Sequence, residues 1–211
     1  MHSGNVIAWY EMLTADLQHT WMAFVDGENL TMRAQALSQT NKLELAEGPY
    51  FKQNCFVWIP GWHAQARRGA ANPPIQQWAV RAHYYSSFVG DDTVREEVRD
   101  LLRTLHFYPR VFKKAKQDQK AKGVDIALTK DVLSHAFLGN YQTAVLIAGD
   151  GDYVPLIEEV QRLGRRVIVW FFRENGLSPE LLRVADDFYD LTGSFLNTWR
   201  NRPVIPTTSL T

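Results

Sequence analysis

The sequence predicts an α/β domain with a mostly parallel central sheet and helices on both faces. Three observations carry this. Apolar runs such as Trp21–Val25, 143–148 and 166–172 are continuous rather than alternating, the pattern of strands buried on both faces. Each run is followed by residues at helical spacing, so strand and helix alternate along the chain. The strand ends also carry glycine-flanked acids, Asp26-Gly27 and Gly149-Asp150-Gly151-Asp152, at the position where parallel sheets place their ligands.

Taken in order, residues 5–20 put Val6, Trp9, Leu13 and Leu17 on one stripe, which predicts an amphipathic helix packed outside the sheet. The strand Trp21–Val25 turns at Asp26-Gly27 into a helix from Leu30 to Leu37. Residues 38–80 break the alternation. They hold a strand-like run from Cys55 to Ile59, then Pro60-Gly61-Trp62-His63, Arg67-Arg68-Gly69 and Asn72-Pro73-Pro74, and read as an insertion that offers a lid or a partner surface. A second strand is expected at 81–89, after which Asp91, Asp92 and Thr93 cap a charged helix to about Leu105. A third strand follows at Tyr108–Phe112. Gly123 then breaks the chain before a helix from Val124 to Leu138, with Leu128, Val132 and Ala136 on one face. Beyond it come a strand at 143–148, a helix at 153–163 stopped by Gly164, a strand at 166–172, a helix at 179–185 and a short strand from Asp187 to Leu191. The tail 201–211 is polar with two prolines and is expected to be loosely ordered. The organisation is thus an N-terminal helix (1–20), one domain (21–200) interrupted at about 38–80, and the tail.

Composition narrows the class of protein. A chain of 211 residues suits one domain with a sizeable core. With 23 basic and 23 acidic residues the net charge is zero, so any attraction to a polyanion must be local. The single Cys55 forms no internal disulfide, and the first 30 residues lack a secretory signal, so a reducing cytoplasm is expected. The longest strongly apolar stretch, Val167–Phe172, is too short to span a bilayer. The oligomeric state stays open, a homodimer included.

The acids carry the chemistry. Asp150 and Asp152 are one residue apart at the end of a buried strand, where they repel unless a cation or a set of donors neutralises them. In a parallel sheet Asp26 converges on the same edge, and Asp125, opening the helix after Gly123, can join. Four carboxylates with no His or Cys beside them suit Mg²⁺ or Mn²⁺ rather than zinc. Such an ion activates water and stabilises a leaving oxygen in phosphodiester hydrolysis. Each acid also has an ordinary reading: Asp26-Gly27 as a turn, Asp152 as a helix cap, Asp125 as a first-turn acid. Their joint placement is what favours a site. Asp131 and Asp186 read more simply as a solvated acid and a helix-end residue, and stay second-tier candidates. The six histidines show no ligand spacing and receive no role.

The motifs Phe24-Val25-Asp26-Gly27-Glu28-Asn29, Lys122-Gly123-Val124-Asp125 running to Asp131, Ile147-Ala148-Gly149-Asp150-Gly151-Asp152-Tyr153-Val154-Pro155, and Leu182 to Phe188 occur in the order and over the span of NYN domains. The chain resembles in particular the LabA-like (DUF88) branch of the PIN-like nuclease superfamily. The resemblance implies a three-layer Rossmann-like PIN fold and Mg²⁺- or Mn²⁺-dependent ribonuclease activity. It assigns Asp26, Asp125, Asp150 and Asp152 as catalytic metal ligands, with Asn29 positioning substrate or water. Two features depart from the family pattern: Ala148 stands where Ser or Thr is common, and residues 38–80 are inserted.

Two rival sites fail on the residues. A phosphatase nucleophile loop of the haloacid dehalogenase kind at Asp150-Gly151-Asp152 needs a downstream lysine, and no lysine follows Lys130. An EF-hand calcium loop fails because Tyr153 and Val154 replace its ligand and glycine positions. Between Arg110 and Lys122, six basic residues face the single Asp118 and lead into Asp125, a local charge suited to a polyanion. Lys114, Lys116, Lys120 and Lys122 are therefore candidate substrate contacts, with a solvated surface loop as the ordinary reading. Trp58, Trp62, His63, Arg67 and Arg68 could stack on unpaired bases, though burial of both tryptophans against the sheet is the simpler expectation. The expected function is a metal-dependent ribonuclease. Its alternatives are a catalytically weak RNA-binding or regulatory module and a deoxyribonuclease, with single-stranded DNA as substrate, using the same acids.

Overall fold

The computed structural model describes residues 20–48, 50–53, 55, 79–116 and 123–200. The expected N-terminal helix up to residue 19, the insertion's Trp58, Trp62, His63, Arg67 and Arg68, the lysines Lys120 and Lys122, and the tail 201–211 lie outside them. Six strands are present: β1 (Trp21–Asp26), β2 (Ala79–Phe88), β3 (Tyr108–Lys113), β4 (Thr143–Ile147), β5 (Arg166–Phe171) and β6 (Asp187–Asp190). They form one all-parallel sheet in the order β3-β2-β1-β4-β5-β6. Around it lie α1 (Gly27–Thr40), α2 (Asp92–Thr104), α3 (Val124–Phe137), α4 (Val154–Arg162), α5 (Pro179–Val184) and α6 (Thr192–Arg200).

Every residue of the central strands β1 and β4 is buried, which explains their unbroken apolar sequence. The chain winds outward from β1 through β2 to β3, then crosses back over the sheet to β4 and winds the other way. Right-handed crossovers therefore put α1 and α2 on one face and α3, α4 and α5 on the other. The side chains of β2 bear this out. Tyr84 presses on Gly27 at the start of α1, whereas Tyr85 and His83, of opposite parity, meet Asp131 and His135 of α3. The winding reverses between β1 and β4, with Val25 paired to Ile147. That gap is the topological switch point, and both flanking strands end there in an acidic loop.

The elements expected within the described residues are present, with four main differences; the N-terminal helix and most of the strand-like run from Cys55 to Ile59 lie outside those residues. α1 runs on to Thr40, because Leu37 and Ser38 are buried and continue its packing face. β2 begins at Ala79, so the inserted segment ends before residue 80. The helix expected from residue 153 is split into a single 3₁₀ turn, Gly151–Tyr153, and α4, because Pro155 in the first turn of α4 has no N–H to continue the hydrogen-bond ladder. α6 was not expected. Its polar start hides a packing pair, Phe195 and Trp199, spaced one turn apart and both buried. No helix among the described residues is long and apolar enough to cross a membrane.

Candidate functional site

The site begins with two glycines. A Cβ on Gly27 would overlap the Tyr84 ring and stand 2.7 Å from the Tyr85 carbonyl oxygen, and one on Gly149 would overlap the Phe171 ring. Only glycine lets β1 and β4 turn out of the sheet this close to their neighbours. Asp26 follows β1 directly and caps α1, its Oδ1 accepting from the Asn29 N–H at 2.9 Å. Asp150 caps the 3₁₀ turn by accepting from the Asp152 N–H at 3.1 Å. The capping acid is thus Asp150, not Asp152. Asn29 spans the switch point, its Oδ1 accepting from the Gly149 N–H at 3.0 Å. This bond ties the β1 loop to the β4 loop.

The structure joins Asp26 and Asp125 through a residue that sequence reasoning missed. The Tyr153 hydroxyl lies 2.9 Å from Asp26 Oδ2 and 3.1 Å from Asp125 Oδ1. Asp26 is buried, and Asp125, in the first turn of α3, is exposed. Burial pushes the Asp26 carboxyl up to about 6 against the pull of the Asn29 and Tyr153 hydrogen bonds, and the negative charges of Asp125 and Glu28 add to the rise. Burial and both acids drive the Tyr153 phenol far above its ordinary value, so it stays protonated. Among the described residues no basic side chain pairs with Asp26 or Asp125. Asp150 is partly buried and Asp152 exposed on the same edge of the sheet.

A divalent cation is implied by this class of site, and the donors suit one. Asp26 offers a buried, hard carboxylate whose charge is opposed by further acids and, among the described residues, met by hydrogen-bond donors rather than a basic side chain. Among the described residues, no three His, Cys, Asp or Glu side chains stand close enough together to hold an ion. Tyr153 brings Asp26 and Asp125 together, without Asp150 or Asp152 completing a group of three with them.

The basic run is less free than its charge suggests. Lys114 lies 3.0 Å from Glu28 Oε1, with both side chains largely buried, and Ser87 donates to the same oxygen at 2.9 Å. Its ammonium therefore holds the start of α1 against the ends of β2 and β3. Arg110 pairs with Asp131 at 3.2 Å, and Tyr85 donates to that carboxylate at 2.9 Å. Asp131 is buried rather than solvated, which corrects the sequence expectation. Its helical position says nothing of the tyrosine and arginine waiting on the neighbouring strands. Lys116 is exposed, within the run beside the site. Asp186 accepts from the Val167 N–H at 2.7 Å and so joins α5 to β5, away from the acids. His83 is buried among Phe24, Tyr85, Tyr108 and His135 with neither ring nitrogen hydrogen-bonded, and burial pushes it down to about 4, keeping it neutral.

A doubly wound parallel sheet with carboxylates across its switch point defines a Rossmann-like α/β domain of the ligand-binding kind. The chain belongs to the NYN-domain family: the family model matches residues 21–192, from the first strand into the last helix. It is thereby a member of the PIN-like nuclease superfamily, whose NYN domains are generally nucleases. A crystal structure of a protein of unknown function from Vibrio parahaemolyticus has the same fold at a TM-score of 0.57, with 22% identity over 83% of this chain and 94% of that one. No curated protein matches the sequence.

Proposed function

We propose that this NYN domain is a metal-dependent ribonuclease of the LabA-like branch, hydrolysing phosphodiester bonds at the switch-point acids. The observation that carries this reading is a buried carboxylate, Asp26, sharing one tyrosine hydroxyl with Asp125 and paired with no basic side chain among the described residues. Asp26 and Asp125 would hold Mg²⁺ or Mn²⁺, with Asp150 and Asp152 supplying further oxygens from the same edge. Bound there, the ion supplies an activated water and charge stabilisation for the leaving oxygen. Asn29 keeps the two acidic loops in register through Gly149. Tyr153 stays protonated and orients the inner carboxylates. Exposed Lys116, with Lys120 and Lys122, attracts the phosphate backbone. The lone buried thiol of Cys55 suits a reducing cytoplasm.

A second reading, an NYN module that binds RNA with little turnover, is favoured by two observations. The described acids do not form a group of three. Ala148, fully buried ahead of Gly149, brings no hydroxyl to the loop. One experiment separates the readings. Labelled RNA and single-stranded DNA are incubated with the protein in Mg²⁺, Mn²⁺ or chelator, beside Asp26→Asn and the pair Asp150→Asn with Asp152→Asn. Ion-dependent RNA cleavage lost in the variants supports the ribonuclease. Cleavage surviving in them sinks the mechanism, ion and RNA binding without cleavage supports the module, and equal cutting of DNA broadens the substrate.

A further inference from the structure

Helix α3 carries apolar residues on two sides, the outer line interrupted by the exposed Lys130. Its inner line, with Val124, Leu128, Val132 and Ala136, is buried against the sheet. Its outer line follows the spacing i, i+4, i+7, i+11 through Ile126, Lys130, Leu133 and Phe137. Ile126 is 74% and Phe137 78% exposed, and Leu138 just beyond is 68% exposed. Leu133 is only partly covered by the core. A helix apolar on both sides belongs under a second layer, and a solvated domain seldom leaves such a stripe open.

The sequence ahead of β1 carries a matching apolar pattern. The Thr20 N–H donates to Gln142 Oε1 at 2.5 Å, and the Gln142 N–H donates to the Thr20 carbonyl oxygen at 2.8 Å. Thr20, the first described residue, is therefore fixed beside Gln142, four residues past Leu138 at the carboxyl end of α3. The preceding sequence carries an apolar stripe, Val6, Trp9, Leu13 and Leu17, at helical spacing. As helices, Val6 to Leu17 and Ile126 to Phe137 have the same length, about 16 Å. We propose that the N-terminal segment docks along the outer face of α3, Leu17 near Phe137 and Val6 reaching Ile126, the neighbour of Asp125. The domain's second layer is then completed by residues outside the family-matched region, and they end beside the acidic site.

Two cysteine pairs in the full-length chain test this. Val6→Cys with Ile126→Cys is compared with Val6→Cys with Met32→Cys, Met32 being exposed on α1 on the other side of the sheet. Under mild oxidant at submicromolar protein, the first pair is expected to close an intramolecular disulfide roughly tenfold faster, as held rather than freely diffusing thiols do. Cys55, 4% exposed, stays out of the reaction and reports any unfolding. Equal rates for the two pairs overturn the proposal. So does a first pair that links only between chains with a yield rising with concentration, which assigns the face to a second copy. As a second measure, Trp9→Ser with Leu13→Ser should speed alkylation of the thiol in Phe137→Cys several-fold, and an unchanged rate counts against docking.

Discussion

The Tyr153 hydroxyl stands 2.9 Å from Asp26 at the end of β1 and 3.1 Å from Asp125 in the first turn of α3, so one proton serves two carboxylates. It donates to one at a time and leaves the other facing an oxygen. An ion between the acids would relieve that conflict. Tyr153→Phe should therefore destabilise the chain in chelator by about 1–3 kcal/mol, the cost of a buried acceptor left unmade. With Mn²⁺ the loss should shrink, since the carboxylates then face the ion. Urea unfolding with and without Mn²⁺ reads both numbers, and an equal loss in the two conditions would argue against an ion at this pair.

Asp26 makes stability depend on pH. Its folded-state value of about 6 lies above the ordinary 3.8, so folding favours the protonated acid. That stabilising contribution is complete below pH 3.8 and is lost as the pH rises through 6. With the carboxyl buried, the loss amounts to about 3 kcal/mol by pH 8. Asn caps a helix as well as Asp does, so Asp26→Asn removes the loss and keeps the cap. In chelator the variant should melt higher than the native chain at pH 8, with the gap narrowing toward pH 4. It should also cut no RNA. Thermal melts across this range check the sign, and a gap that widens on acidification would contradict it.

The lysines should divide sharply. Lys114 is bound to Glu28 at 3.0 Å out of most solvent, and removing it leaves that acid with Ser87 alone among the described residues. Lys114→Ala should cost on the order of 3 kcal/mol in denaturant unfolding, and Glu28→Gln in the same chain should return part of it. Lys116→Ala should leave the melt unchanged and lower the salt dependence of RNA binding by about one ion. Salt titrations of RNA affinity, with melts on the same samples, distinguish a structural lysine from a phosphate contact.

These lysines show where the sequence was legible and where it was not. Buried strands and their acidic ends announce themselves locally, in runs such as Ala144–Ile147 and in the Asp-Gly steps, so the parallel sheet and the positions of Asp26 and Asp150 could be read from the chain. Partners distant in sequence leave no such mark. Nothing near Lys114 says that Glu28, 86 residues away, will claim it. Asp131 reads as solvated from its place in mid-helix, yet Tyr85 and Arg110 lie on strands it meets only after folding. Tyr153 was readable only as an obstacle to a calcium loop. Its hydroxyl gains meaning from Asp26, 127 residues earlier.

Gly149 offers the strictest test of how the loop is built. Its N–H is held by Asn29 at 3.0 Å and its carbonyl oxygen by the Ser178 N–H at 2.8 Å, so the backbone is clamped from both sides. The Phe171 ring, fully buried in β5, fills the space a methyl would need. Neither the clamp nor the ring can yield without opening the core. Gly149→Ala should therefore cost about 1–3 kcal/mol, as overpacked cores do, and pull Asp150 off the edge it shares with Asp26. Gly193→Ala is the control: it lies in α6 with open space around its Cβ position, and alanine there should be neutral or stabilising by up to about 1 kcal/mol. Unfolding of both variants, with RNA cleavage measured well below the melting range, tests the account. A Gly149→Ala chain as stable and active as the native one would show that the loop has slack the structure denies it.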